Sequence, residues 1–150
     1  MTPDPILQTE QAVQRPFSKR QKLALFLAGL TIALGAVVIV GWHSDKPILI
    51  QVFPGFVPMQ YNTALGFLLC GLSLVLELLR KPRWALGAGS LAGVIGVLTL
   101  IQYTGGIDLG LDELFMKHTI TVKTSHPGRM APNTALCFTL AGLSLACSRF

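Results

Sequence analysis

The chain has 150 residues, 51% of them hydrophobic and only 13% charged, with a formal net charge of +5. That balance excludes a soluble globular domain, whose helices need polar faces. Because the positive charges sit at the ends of apolar segments and not on one face, it also excludes nucleic acid as a partner.

Residues 1–20 are polar and contain three prolines in Met1 to Pro16, which reads as a flexible cytoplasmic tail. Four charge-poor segments follow, at about 23–42, 61–79, 84–104 and 132–148. Each is close to the ~20 residues that cross a ~30 Å hydrocarbon core at ~1.5 Å per residue. The first is too long for a signal peptide, and no small-residue cleavage site follows Trp42 and His43. Between the first and second, Pro47 to Pro58 is too apolar for water and is expected to lie in the interface or fold over the helix ends, with Ile48 to Val52 a candidate strand.

Arg80, Lys81 and Arg83 fill the short turn before the third segment, matching Arg15, Lys19, Arg20 and Lys22 before the first and Arg149 after the fourth. By the positive-inside rule both termini and this turn face the cytoplasm. Between the third and fourth segments, Asp108 to Met116 reads as a short interfacial helix and Thr119 to Lys123 as a strand seeking a partner. Small residues four apart, Ala85, Gly89 and Gly93 in the third segment and Gly29 and Ala33 in the first, predict faces of close helix contact.

An internal repeat organises these elements. Met59-Gln-Tyr-Asn-Thr-Ala-Leu-Gly-Phe-Leu-Leu-Cys-Gly-Leu-Ser-Leu74 aligns without gaps with Met130-Ala-Pro-Asn-Thr-Ala-Leu-Cys-Phe-Thr-Leu-Ala-Gly-Leu-Ser-Leu145, eleven of sixteen positions being identical. The fold class expected is therefore an all-α membrane protein, residues 21–150 forming four transmembrane helices as two repeated helical hairpins, N-in and C-in. A pseudo-twofold along the membrane normal would bring the second and fourth helices together.

At the outer ends of those two helices stand Asn62-Thr63 and Asn133-Thr134. The asparagines suit N-capping, and they also suit lining the mouth of a shared cavity. At the same level, Trp42, His43, Gln102, Tyr103, His126 and Arg129 fit either an interfacial belt or a site for an amphipathic, ring-bearing ligand such as a quinone. The three histidines lack ligand-pair spacing and lie outside the helix interiors, so haem is not expected. Cys70, Cys137 and Cys147 have no metal or redox spacing and read as packing residues. No phosphate loop, nucleophile elbow or metalloprotease motif is present, so an enzyme is not expected.

Three strings, Met59-x-x-Asn-Thr-Ala-Leu-Gly-Phe67, Gln102-Tyr-x-x-Gly-Ile-Asp-Leu-Gly-Leu-Asp112 and His126-Pro-Gly-Arg-Met-Ala-Pro-Asn-Thr-Ala-Leu-Cys-Phe138, resemble the N-terminal four-helix membrane region of bacterial sensor proteins that precedes PAS, histidine-kinase or diguanylate-cyclase modules. The resemblance runs from about Leu23 to Ala146. It implies a sensory input module in the bacterial inner membrane, either part of a longer sensor whose output module would start beyond Phe150 and which would be a homodimer, or a stand-alone relative. The ligand it would sense is lipophilic or redox-active. The alternative reading is a haem-binding or structural accessory subunit of a larger membrane complex.

Overall fold

The computed structural model describes residues 17–51, 53, 56–117, 126 and 128–147. Within them the chain forms five helices: α1 (Lys19–His43), the single turn α2 (Pro47–Ile50), α3 (Tyr61–Leu78), α4 (Pro82–Gly105) and α5 (Pro132–Cys147). No strand occurs among the described residues. Ile48 to Ile50, a candidate strand in the sequence, are instead the body of α2, because Pro47 sets a helical φ at its first position. The proposed partner strand, Thr119 to Lys123, and His118 lie outside the described residues.

The helix ends follow local chemistry. Ser18 caps α1 in a capping box, accepting from the Gln21 amide at 3.3 Å while the Gln21 side chain accepts from the Ser18 amide at 2.9 Å. Proline opens α2, α4 and α5 at positions where the missing N–H costs nothing. Gly106 ends α4 in the left-handed region at φ 60. The turn from α3 to α4 is tight, with Arg80 at φ 57.

Side-chain size runs opposite to that of a water-soluble bundle. Buried positions are small, including Ala28, Gly35, Gly71, Ala85, Gly89, Ala92, Gly93 and Gly142, while Leu23, Phe26, Leu30, Leu91, Leu140 and Leu143 point outward. Close backbone approach makes the helix contacts where no hydrophobic drive exists between helices. A Cβ at Gly35 would lie 2.5 Å from the Ala64 carbonyl oxygen, fixing α1 on α3, and one at Gly142 would lie 2.7 Å from the Gly93 Cα, fixing α5 on α4. The Ala85–Gly89–Gly93 face is therefore a contact face. The Gly29–Ala33 face is not: nothing lies within 4 Å of Gly29, because the register of α1 is set one step away by Ala28, Ile32 and Gly35.

α1, α4 and α3 are long and apolar enough to cross a membrane, and α5, at 16 residues, is apolar but shorter. α1 pairs with α3, α3 with α4, and α4 with α5; α3 and α5 meet more sparingly, and α1 does not reach α5. Where α3 and α5 do meet, Phe67 packs edge-on against Phe138 with ring centroids 5.4 Å apart. These two residues occupy the same position in the two copies of the repeat.

Candidate functional site

The gap left between α1 and α5 widens at the end remote from the Arg80 turn into a cavity of about 1010 Å³. That is the upper end of the roughly 300–1,000 Å³ of small-molecule sites. Leu34 and Val38 of α1 form one wall, Pro132 and Thr134 of α5 with Ala131 just before it the other, and Thr63 and Tyr103 the back. The roof is the strap from α2 to α3. It is tied down by the Met59 amide donating to the Ile50 carbonyl at 3.0 Å, by Gln51 Nε2 donating to the Phe56 carbonyl at 2.9 Å, and by Trp42 Nε1 donating to the Met59 carbonyl at 3.0 Å. Ile48, Phe53 and Phe56 remain exposed around the rim, which suits contact with lipid and not with water.

Beside the cavity lies a buried polar network. Arg129 Nε donates to Asp112 Oδ2 at 2.7 Å, and Gln102 Nε2 donates to the same oxygen at 2.9 Å. The Arg129 and Asp112 side chains are only 7% and 9% exposed, so this is a desolvated ion pair and not a surface one. Arg129 also stands 5.5 Å from the Tyr103 ring centroid, and Tyr103 donates to the Met130 carbonyl at 3.1 Å. A second, smaller pocket of about 300 Å³ lies on the acidic side of Arg129, which it shares with the main cavity together with His126.

This network explains the loop before α5. The Asp108 to Met116 stretch forms turns in place of the expected interfacial helix. Gly110 adopts φ 67, its amide donating to Asp108 Oδ1 at 2.9 Å, and Asp112 is drawn inward to Arg129. Phe115 stacks on Tyr61, and Met116 packs on the Val38–Trp42 cluster.

Of the residues singled out in the sequence, Thr63, Thr134, Tyr103, His126 and Arg129 line the cavity together. The other five are outside its lining. Trp42 is buried behind the strap it holds, His43 bonds Tyr61 at 3.3 Å on the exposed side, and Gln102 sits within the ion-pair network. Neither asparagine caps its helix: Gln60 is the N-cap of α3, and α5 starts at Pro132. Asn62 is buried and donates to the Leu111 carbonyl at 2.8 Å, clamping α3 to the connection between α4 and α5. Asn133 is exposed, its Oδ1 accepting from the Thr134 amide at 2.9 Å. Of the cysteines, Cys70 is half-buried beside Phe138, whereas Cys137 and Cys147 are exposed and pack against no core.

Gln60 and Asp112 were not among the site residues singled out in the sequence. Asp112 had a signal, an acid in the same connection as Arg129. Gln60 had none, since its counterpart in the repeat is Ala131. Among the described residues no group of His, Cys, Asp and Glu is arranged to hold a metal ion. No protein-family model matches the chain, and no curated protein or solved structure matches it either.

Proposed function

We propose that this chain is a membrane-embedded sensory input module that takes a lipophilic, ring-bearing ligand, such as a quinone, into the cavity between α1 and α5. The observation that carries this reading is the cavity itself. It is large and mostly apolar, it has Thr63, Thr134, Tyr103 and Arg129 converging on it, and it lies where a helix contact is missing.

The membrane arrangement belongs to the same proposal. α5 serves as the fourth span, and the two hairpins are related by a pseudo-twofold; the contact of Phe67 with Phe138 supports that axis. Lys19, Arg20, Lys22, Arg80, Lys81 and Arg83 gather at one end, which is cytoplasmic by the positive-inside rule and leaves the cavity in the outer leaflet. In this arrangement the ligand reaches the site sideways from the bilayer, between α1 and α5. That departs from access between the second and fourth spans, where Phe67 and Phe138 close the way.

Signalling follows from the missing contact. A ligand that touches Leu34 and Val38 on one side and Pro132 and Thr134 on the other bridges two helices that otherwise do not meet, and so favours one spacing of α5 relative to α1. The resemblance to sensor membrane regions supplies the output side of the reading.

The test is organic extraction of the purified protein and mass spectrometry of what is released. A lipophile bound at near-unit stoichiometry, and lost from the Thr63→Val/Thr134→Val double variant, is the expected result. A protein that releases only bulk phospholipid, in equal amounts from both forms, overturns the proposal.

A further inference from the structure

The basic residues at the end that carries the Arg80 turn fall at one level of the bundle. A Cβ at Gly35 would meet the Ala64 carbonyl oxygen at 2.5 Å and one at Gly71 the Ala28 carbonyl oxygen at 2.9 Å, so α1 and α3 run antiparallel, residue for residue. Continued to the end of α3, that register sets Lys22 level with Glu77 and Lys19 level with Arg80. On the other flank Ser73 Oγ donates to the Ala85 carbonyl at 2.7 Å, which places Arg83 near the level of Val75. At ~1.5 Å per residue, Lys19, Arg20, Lys22, Arg80, Lys81 and Arg83 therefore lie within roughly 8 Å of one another along the axis, on three neighbouring helices. All are exposed, and the spacing is about one Debye length at physiological salt, so they act as a single positive field.

The chain itself does not balance that field. Among the described residues at this end Glu77 is the sole acid, and the first turns of α1 and α4 hold none. One carboxylate offsets at most one of these cations. The opposite end is different, with Asp45, Asp108, Asp112 and Glu113 against Lys46, Lys117 and Arg129. Apolar side chains interleave the cations: Trp84, 73% exposed, adjoins Arg83, and the exposed Leu79 and Leu23 adjoin Arg80 and Lys22. Such a surface suits the headgroup layer, where an indole and aliphatic chains enter the acyl edge while ammonium and guanidinium groups reach phosphate. A soluble acidic protein or free phosphate would leave the apolar half in water.

We infer that this end is a docking surface for anionic phospholipid headgroups, held in preference to zwitterionic ones. The lipids join the start of α1, the start of α4 and the turn between α3 and α4, and so steady the inner end of the helix whose Leu34 and Val38 line the cavity. The inference rests on α1, α3 and α4 being membrane spans, and not on what fills the cavity.

The experiment reconstitutes the full chain in nanodiscs of equal parts phosphatidylcholine and phosphatidylglycerol, extracts it into mild detergent and identifies the lipids that stay bound by native mass spectrometry. Retained phosphatidylglycerol is expected to exceed phosphatidylcholine by about tenfold. Lys19→Gln/Arg20→Gln and Lys81→Gln/Arg83→Gln, all at exposed positions, each cut that excess, and the four substitutions together bring the two lipids to parity. Lys46→Gln/Lys117→Gln removes the same charge from the opposite end and leaves the excess unchanged. Parity in the wild type, or an equal loss from the Lys46/Lys117 variant, overturns the inference. So does parity together with binding of a polyglutamate peptide through Lys81 and Arg83, which would assign the surface to an acidic protein. None of these outcomes touches the cavity reading, since none of these residues lines the cavity; a chain that fails to enter nanodiscs overturns both.

Discussion

Replacing Asp112 by Asn tests the part of the site that physical reasoning constrains most. The substitution keeps the shape of the side chain and removes its charge, which leaves the Arg129 guanidinium buried opposite a neutral group. Breaking a buried pair by removing one partner costs about 3–5 kcal/mol, most of it the desolvation of the charge left behind. Asp108 offers partial compensation, but it stands 3.8 Å from Arg129 Nη2 and is 77% exposed, so it returns no more than about 1 kcal/mol. The expected loss is therefore at the lower end, about 3 kcal/mol, and for a chain of this size a fall in Tm on the order of 10 °C. The assay is thermal unfolding in detergent followed by circular dichroism. Asp112→Leu combined with Arg129→Met removes both charges, and it is expected to be more stable than Asp112→Asn alone, since apolar groups of similar volume replace a buried pair at little cost. If Asp112→Asn melts within about 2 °C of the wild type, or the double variant is the worst of the three, Arg129 is not desolvated and the network is not a buried ion pair.

Gly142→Leu is expected to separate α5 from α4 and to abolish a monodisperse peak in size-exclusion chromatography, because a Cβ there already meets Gly93 Cα at 2.7 Å and the Gly89 carbonyl at 2.9 Å. Gly29→Leu, on the open face of α1, should elute as the wild type does. Asn62→Ala removes the donor to the Leu111 carbonyl and is expected to cost about 1–3 kcal/mol. It should also raise proteolysis between Asp108 and Lys117, whereas Asn133→Ala, at an exposed position, should leave the digestion pattern unchanged. Lys81→Cys in a cysteine-free background should react with a membrane-impermeant maleimide only after the cytoplasmic side is opened; labelling from outside would invert the topology proposed above.

Helix positions were legible in the sequence because their causes are local. The charge-poor apolar runs place α1, α3, α4 and α5 within a few residues of the expected bounds. The Ala85–Gly89–Gly93 face was legible too, because that spacing puts small residues on one stripe whatever they meet. Gly29 and Ala33 share the spacing, yet a Cβ at Gly29 would meet nothing and Ala33 is exposed, since a stripe does not say which side of a helix finds a neighbour. The asparagines misled for a related reason. Capping depends on where a helix begins by one residue, and α5 and α3 begin at Pro132 and Tyr61, earlier than the Asn-Thr pairs suggest. That Pro47 to Pro58 lies in the interface or folds over the helix ends was legible in its apolar composition, but the ties that make it a strap were not, because its hydrogen bonds join Trp42, Ile50 and Met59 across separate elements.

The duplicated string places equivalent residues in unequal surroundings, and the cavity arises from that inequality. Thr63 and Thr134 both reach it, so the repeat contributes a matched pair of hydroxyls. Asn62 and Asn133 diverge because the connections before their helices differ in what crosses them: the longer connection, after α4, sends Leu111 over to Asn62, whereas Asn133 bonds only the adjacent Thr134 amide. The shorter connection, after α1, becomes a strap held by Trp42 over the space that a symmetric packing of α1 on α5 would have filled. A perfect pair of hairpins would bury matching faces and leave no room. Here the small residues lock α1 to α3 and α5 to α4, and the differing loops hold the two outer helices apart around the groups that would meet a ligand.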